Sequence, residues 1–76
     1  MVRSGPRHQR MTIKLNGDPH EIPQPLSVTA LLATLDIDPR RVAVEHNLAI
    51  LKRHLFGETF VQDGDRVEIV NFVGGG

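Results

Sequence analysis

Asn16-Gly17 stands between two short segments, and the one before it alternates apolar with polar residues, which leaves the chain few choices of fold. In Met11-Thr12-Ile13-Lys14-Leu15 the apolar side chains recur at period two, so they share one face of a strand. Asn and Gly accept the positive φ angles of the tight turn whose twist matches its flanking strands, so residues 11–22 read as a β-hairpin. In a hairpin with a two-residue loop, Leu15, Ile13 and Met11 share a face with Asp18, His20 and Ile22, which makes the second strand the more exposed one. Pro19 lacks an N–H and fits only a sheet edge, so the first strand is the more central.

Pro23 and Pro25 exclude regular strand or helix and predict an extended connector through Gln24 to Leu26. Ser27 then reads as an N-cap. Val28, Leu31, Leu32 and Leu35 follow at i, i+3, i+4 and i+7, one apolar stripe on a helix of about nine residues. Asp36, Asp38 and Pro39 end that helix, and Arg40-Arg41 lead into a third strand over 42–45 with Val42 and Val44 on one face. Asn47-Leu48-Ala49 reads as a turn and 50–53 as a short fourth strand. Residues 54–60 mix periods, which predicts irregular chain or a 3₁₀ turn, with Leu55 and Phe56 or Phe60 plugging one end of the core. Asp63-Gly64-Asp65 is a tight turn before a last strand over 66–73, whose Val67 and Ile69 point to the helix. The two periods together predict an α+β fold: a sheet of four to five strands packed on one main helix.

A chain of 76 residues buries one small core and makes one domain. It has no cysteine, so it offers no disulfide, no thiolate metal site and no nucleophilic thiol. No apolar run approaches the roughly 20 residues that span a bilayer, and the start lacks the apolar middle of a signal peptide, so a cytoplasmic protein is expected. The formal charge is zero, but Arg3, Arg7 and Arg10 sit in a start without acids, and the six remaining basic residues face nine acidic ones, a body of net −3. An acidic body argues against nucleic-acid binding. Residues 1–10, with Ser4, Gly5 and Pro6 and no hydrophobic period, read as a disordered leader or tag remnant, and Met11 as the first residue of the fold.

The chain closes on Val70-Asn71-Phe72-Val73-Gly74-Gly75-Gly76 and a carboxylate. Without Cβ atoms, Gly74, Gly75 and Gly76 can enter a slot too narrow for side chains, and at roughly 3.3–3.6 Å each they reach about 10 Å beyond the strand. Ordering them costs on the order of 1–2 kcal/mol each, which contacts of the folded part with a partner must offset. By itself the tripeptide fits a frayed end or an expression scar about as well. Phe72 and Val73 close the core or form a docking patch beside the tail, with Phe72 expected partly buried and Val73 free for a partner.

Other candidate sites are weaker. His20, His46 and His54 lack metal-ligand spacing, which favours solvated or capping roles. Asp63 and Asp65 resemble an acid pair or the opening of a calcium loop, but the later ligands of such a loop are absent, so turn chemistry is expected.

Leu15-Asn16-Gly17, Leu31-Leu32 with Leu35, Val42-Ala43-Val44-Glu45 with Asn47, Arg53, and the closing Asp63-Gly64-Asp65-x-Val67-Glu68-Ile69-Val70-x-Phe72-Val73-Gly74-Gly75-Gly76 together resemble the ThiS family of thiamine-pathway sulfur carriers. The resemblance covers residues 11–76, and its closing run is the specific part. It implies a ubiquitin-like β-grasp fold and a protein co-substrate rather than an enzyme, with no intrinsic catalytic residue, no metal and no bound cofactor. A ThiF-type adenylating enzyme would use ATP and Mg²⁺ to activate the carboxylate of Gly76. A sulfur donor such as a cysteine desulfurase would then supply a persulfide sulfur, leaving a thiocarboxylate for thiazole synthase. Gly74 and Gly75 would thread into the partner, and the free carrier would be a monomer with no nucleic-acid or membrane partner. A molybdopterin-synthase-type subunit shares the fold but usually ends in a Pro-containing Gly-Gly segment, which this chain lacks. A ubiquitin-like modifier and a plain interaction domain remain as other readings.

Overall fold

The computed structural model describes residues 10–72. The expected leader, all but Arg10, and the tail from Val73 onward lie outside the described residues. The hairpin forms as the Asn16-Gly17 turn dictates: β1 (Met11–Leu15) and β2 (Asp18–Ile22) pair antiparallel, with Leu15 opposite Asp18, Ile13 opposite His20 and Met11 opposite Ile22. Asn16 and Gly17 take φ of 50° and 88°, the left-handed pair of this turn type.

Leu26, the end of the expected connector, and Ser27, the expected N-cap, form β3 (Leu26–Ser27) and pair antiparallel with Phe60–Val61 (β6) in a small second sheet. The helix α1 spans Val28–Thr34, seven residues against the nine expected. Its exposed donors are met one by one: Val28 N–H donates to the Thr59 carbonyl, Thr29 N–H to the Phe56 carbonyl, and Ala30 N–H to Ser27 Oγ at 3.0 Å. Leu35 caps its end, Asp36 N–H donates to the Ala33 carbonyl and Ile37 N–H to the Leu32 carbonyl, a Schellman closure that places Asp36 at φ 59°. Glycine adopts that angle without Cβ strain, so Asp36→Gly is expected to raise stability by about 0.5–1 kcal/mol, read as a higher urea midpoint at unchanged slope. An equal or lower midpoint would contradict the strain argument.

β4 (Val42–His46), β5 (Ala49–Leu51) and β7 (Arg66–Asn71) complete a five-stranded sheet in the order β2-β1-β7-β4-β5. β1 and β7 run parallel; the other neighbours are antiparallel. The expected strand over 50–53 is shorter and begins earlier, because Asn47 and Leu48, at φ 53° and 72°, make a two-residue loop that places Ala49 opposite His46. Arg53–Leu55 is then a 3₁₀ turn. Val28, Leu31 and Leu32 pack in one buried cluster with Ile13, Ile22, Val42, Val44, Val61 and Val67, so the helix covers one face of the sheet. Phe56, not Phe60, plugs the core: it is 3% exposed against 54% for Phe60.

Asn16 does more than turn the chain. Its Nδ2 donates to the Ile69 carbonyl at 3.1 Å, and its Oδ1 accepts from Ile69 N–H at 2.7 Å, so a side chain continues the β1/β7 ladder where β1 has ended. This clip fixes the strand that leads to the C-terminus.

Candidate functional site

β7 carries the tail. Its final pairing is Asn71 opposite Val42, and one residue further Phe72 N–H still donates to the Arg41 carbonyl at 2.9 Å. The chain therefore leaves the sheet from a fixed point beside the start of β4. Val73, Gly74, Gly75 and Gly76, the expected docking, threading and sulfur-bearing positions, lie outside the described residues.

Phe72 was expected partly buried and is instead an exposed residue, at 54%. Alternation explains it: Val67 is buried in the face beneath the helix, so Val70 and Phe72 fall on the other face, and Val70 is 59% exposed. Among the described residues no second layer covers that face. Ile50, opposite Glu45 on the same side, is 79% exposed.

Cations lie on the β4 side of Phe72. Arg41 touches Phe72 through the backbone bond just described. Arg40 Nη2 lies 3.1 Å from Asp38 Oδ2 within the 3₁₀ turn Pro39–Arg41, whose first turn the same carboxylate caps by accepting from Arg40 N–H. Side-chain and backbone hydrogen bonds from Arg40 hold the Asp38 carboxyl below its usual value. Arg53 Nε donates to the Pro39 carbonyl at 3.2 Å, which ties the Lys52-Arg53 step to the turn that holds Arg40 and Arg41. Two dibasic steps, Arg40-Arg41 and Lys52-Arg53, are the sequence signal of this cluster; reading them only as strand flanks misses it.

At the far end of the β4/β7 ladder a polar network forms. His46 Nε2 and Asp65 Oδ2 lie 2.8 Å apart, both side chains mostly buried; Asp65 also accepts from Gln62 N–H and from Asn47 Nδ2. Asn47 Oδ1 accepts from Arg66 N–H at 2.9 Å. His46 thus holds a turn acid rather than standing in solvent; the Gln62–Asp65 bond is turn chemistry of the expected kind, whereas Asp63 reaches out of its turn and accepts from Thr12 N–H of β1 at 2.8 Å. Among the described residues no group of three or more His, Cys, Asp or Glu is arranged to hold a metal. Burial, the largest influence on Asp65, pushes its carboxyl up, and the hydrogen bonds from His46, Gln62 and Asn47 together outweigh it, leaving the group below its ordinary value.

A carboxyl depressed in the folded state stabilises the fold above the unfolded value, near 3.9, and that contribution is lost as pH falls through the lower folded value. The melting advantage of the wild type over Asp65→Asn is therefore expected to be constant above about pH 5 and to shrink in stronger acid. An advantage independent of pH between these limits would show that the carboxylate charge contributes nothing. The network sits a full strand length from the tail, so its role is to hold β4, β7 and the loop together.

A family model described as the ThiS family matches residues 13–76. The chain belongs to the ThiS family. A ThiS thiamine biosynthesis protein of Geobacter metallireducens, known from a crystal structure, is 40% identical and superposes with a TM-score of 0.77 over 87% of this chain and 100% of that one. The uncharacterised protein ycf40 of Porphyra purpurea is 41% identical over 69 residues, 91% of this chain and 97% of its own length. A thiazole synthase of Paramagnetospirillum magneticum is 42% identical over 66 residues, which are 87% of this chain but 20% of that protein. There a ThiS-like segment is one part of a longer chain. The mixed five-stranded sheet with one helix is the ubiquitin-like β-grasp fold of the ThiS family. No helix among the described residues is long and apolar enough to cross a membrane.

Proposed function

We infer that this ThiS-family chain is a sulfur carrier protein of thiamine (thiazole) biosynthesis, a co-substrate whose C-terminal Gly76 bears the sulfur. The observation that carries the reading is the family match, which runs through Gly76 and so takes in the three glycines. The geometry supports it: the strand before the tail is held by the Asn16 clip and by the Arg41 carbonyl up to Phe72.

The chemistry follows from the carboxylate. It is a poor acyl donor because oxide would have to leave. A ThiF-type partner supplies ATP and Mg²⁺, the carboxylate oxygen attacks the α-phosphorus and pyrophosphate departs. Persulfide sulfur from a donor such as a cysteine desulfurase then displaces AMP, and a thiol cleaves the resulting acyl disulfide to leave the thiocarboxylate. Thiazole synthase, the class in which a ThiS-like segment is found fused, takes the sulfur. The carrier contributes position: a tethered sulfur is delivered at high effective concentration, and protein contacts offset the ordering of the glycines.

Intact-protein mass spectrometry after incubation with the adenylating enzyme, ATP, Mg²⁺, cysteine desulfurase, cysteine and a thiol reductant tests this. The expected result is a mass gain equal to one oxygen replaced by one sulfur, localised to Gly76. No gain, with the enzyme active on another carrier, would sink the reading; isopeptide-linked conjugates on lysines would replace it with a protein modifier.

A further inference from the structure

We propose that Arg40, Arg41, Lys52 and Arg53 form a cationic collar that seats the domain on an acidic rim around the slot of the enzyme activating its carboxylate; this rests on the carrier reading above. Of the six lysines and arginines in residues 11–72, these four lie in two short segments joined by the Arg53–Pro39 bond and tied to Phe72 through the Arg41 carbonyl. Arg40 and Arg41 have side chains 81% and 79% exposed, and Lys52 and Arg53 are exposed too. Asp38 pairs with both neighbouring arginines, at 3.1 and 3.8 Å, and residues 39–41 and 52–54 themselves hold no acid.

The body as a whole carries the opposite sign. Residues 11–76 hold six basic and nine acidic side chains, and four of the six cations lie in the collar, so an acidic surface favours the orientation that leads with it. That orientation also presents Phe72, the residue from which the tail continues. Exposed Val70 and Phe72 lie beside the collar and provide the apolar contact that excludes water from the charged pairs. The nucleotide itself is a poor occupant. Four residues follow Phe72, and fully extended they carry the reacting carboxylate about 13–14 Å away, beyond contact between the collar and the phosphate it attacks.

Calorimetric titration of the adenylating enzyme with full-length carrier reads binding without chemistry, and the mass-gain assay reads KM and kcat. Arg41→Glu combined with Lys52→Glu is expected to raise Kd and KM about tenfold or more, with kcat changed less than about twofold, and salt is expected to weaken the wild type more steeply than the variant. Lys14→Glu combined with Arg66→Glu makes the same change in net charge away from the tail and is expected to shift Kd less than about twofold. Arg41→Ala with Lys52→Ala gives an intermediate loss and, with an unchanged melting curve, separates lost attraction from misfolding.

Equal losses from the two reversed pairs would overturn the collar, as would a raised KM for ATP at unchanged Kd for the carrier. Wild-type carrier that binds through the collar but gains no sulfur would remove the carrier reading and leave the docking surface. Sulfur gain with Kd indifferent to the collar would do the reverse.

Discussion

Deleting Gly76 is expected to slow sulfur loading at least about 100-fold while leaving the thermal unfolding curve where it is. Each extended residue spans about 3.3–3.6 Å, so the shortened chain presents its carboxylate that far from the activated phosphorus when the domain is docked as before. A misplacement of roughly 1 Å can cost 100-fold in such a reaction, about 2.7 kcal/mol of barrier. Sliding the whole domain inward to compensate is opposed by its own bulk, because the Phe72–Arg41 bond holds the strand end against the folded body. Among the described residues the strand is tied down as far as Phe72, four positions before Gly76, so the melting curve is expected to stay in place. Loading followed by intact mass, with melting followed by circular dichroism, separates the two effects. A truncated chain that loads at the wild-type rate would show that the reacting carboxylate is not held at a fixed depth.

Leu32→Ala is expected to cost about 2–5 kcal/mol, the range for deleting a fully buried leucine and leaving part of its cavity open. Leu32 has 0% exposure and lies in the helix face that meets Ile13, Val44 and Val67. A domain of this size holds roughly 3–10 kcal/mol in all, so the variant loses a large share of its stability and its urea midpoint falls accordingly. Ile50→Ala provides the contrast. Its side chain is 79% exposed, so the same kind of truncation is expected to stay within about 0.5 kcal/mol. Equal costs at the two positions would mean that the helix does not cover the face of the sheet described here.

The hairpin and the helix cap were legible because each depends on neighbours in sequence. Asn16-Gly17 fixes a two-residue turn and with it the pairing of Met11 with Ile22, and Ser27 meets Ala30 one turn away. The face that carries Val67 was legible too, since alternation at period two belongs to the strand itself. Alternation also divides Val67 from Val70 and Phe72, but it does not tell whether a second layer covers the other face, and Phe72 is exposed for want of one. Pairing between distant segments was hidden for the same reason. Leu26–Ser27 becomes a strand only because Phe60–Val61 returns beside it, and Asn16 becomes a rung of the ladder only because Ile69 lies within reach of its amide. The cationic collar is two dibasic steps eleven residues apart until the Arg53–Pro39 bond brings them to the base of the tail. Local chemistry along the chain determined the elements; the closing of contacts between remote segments, which no short window contains, decided what surrounds the end of β7.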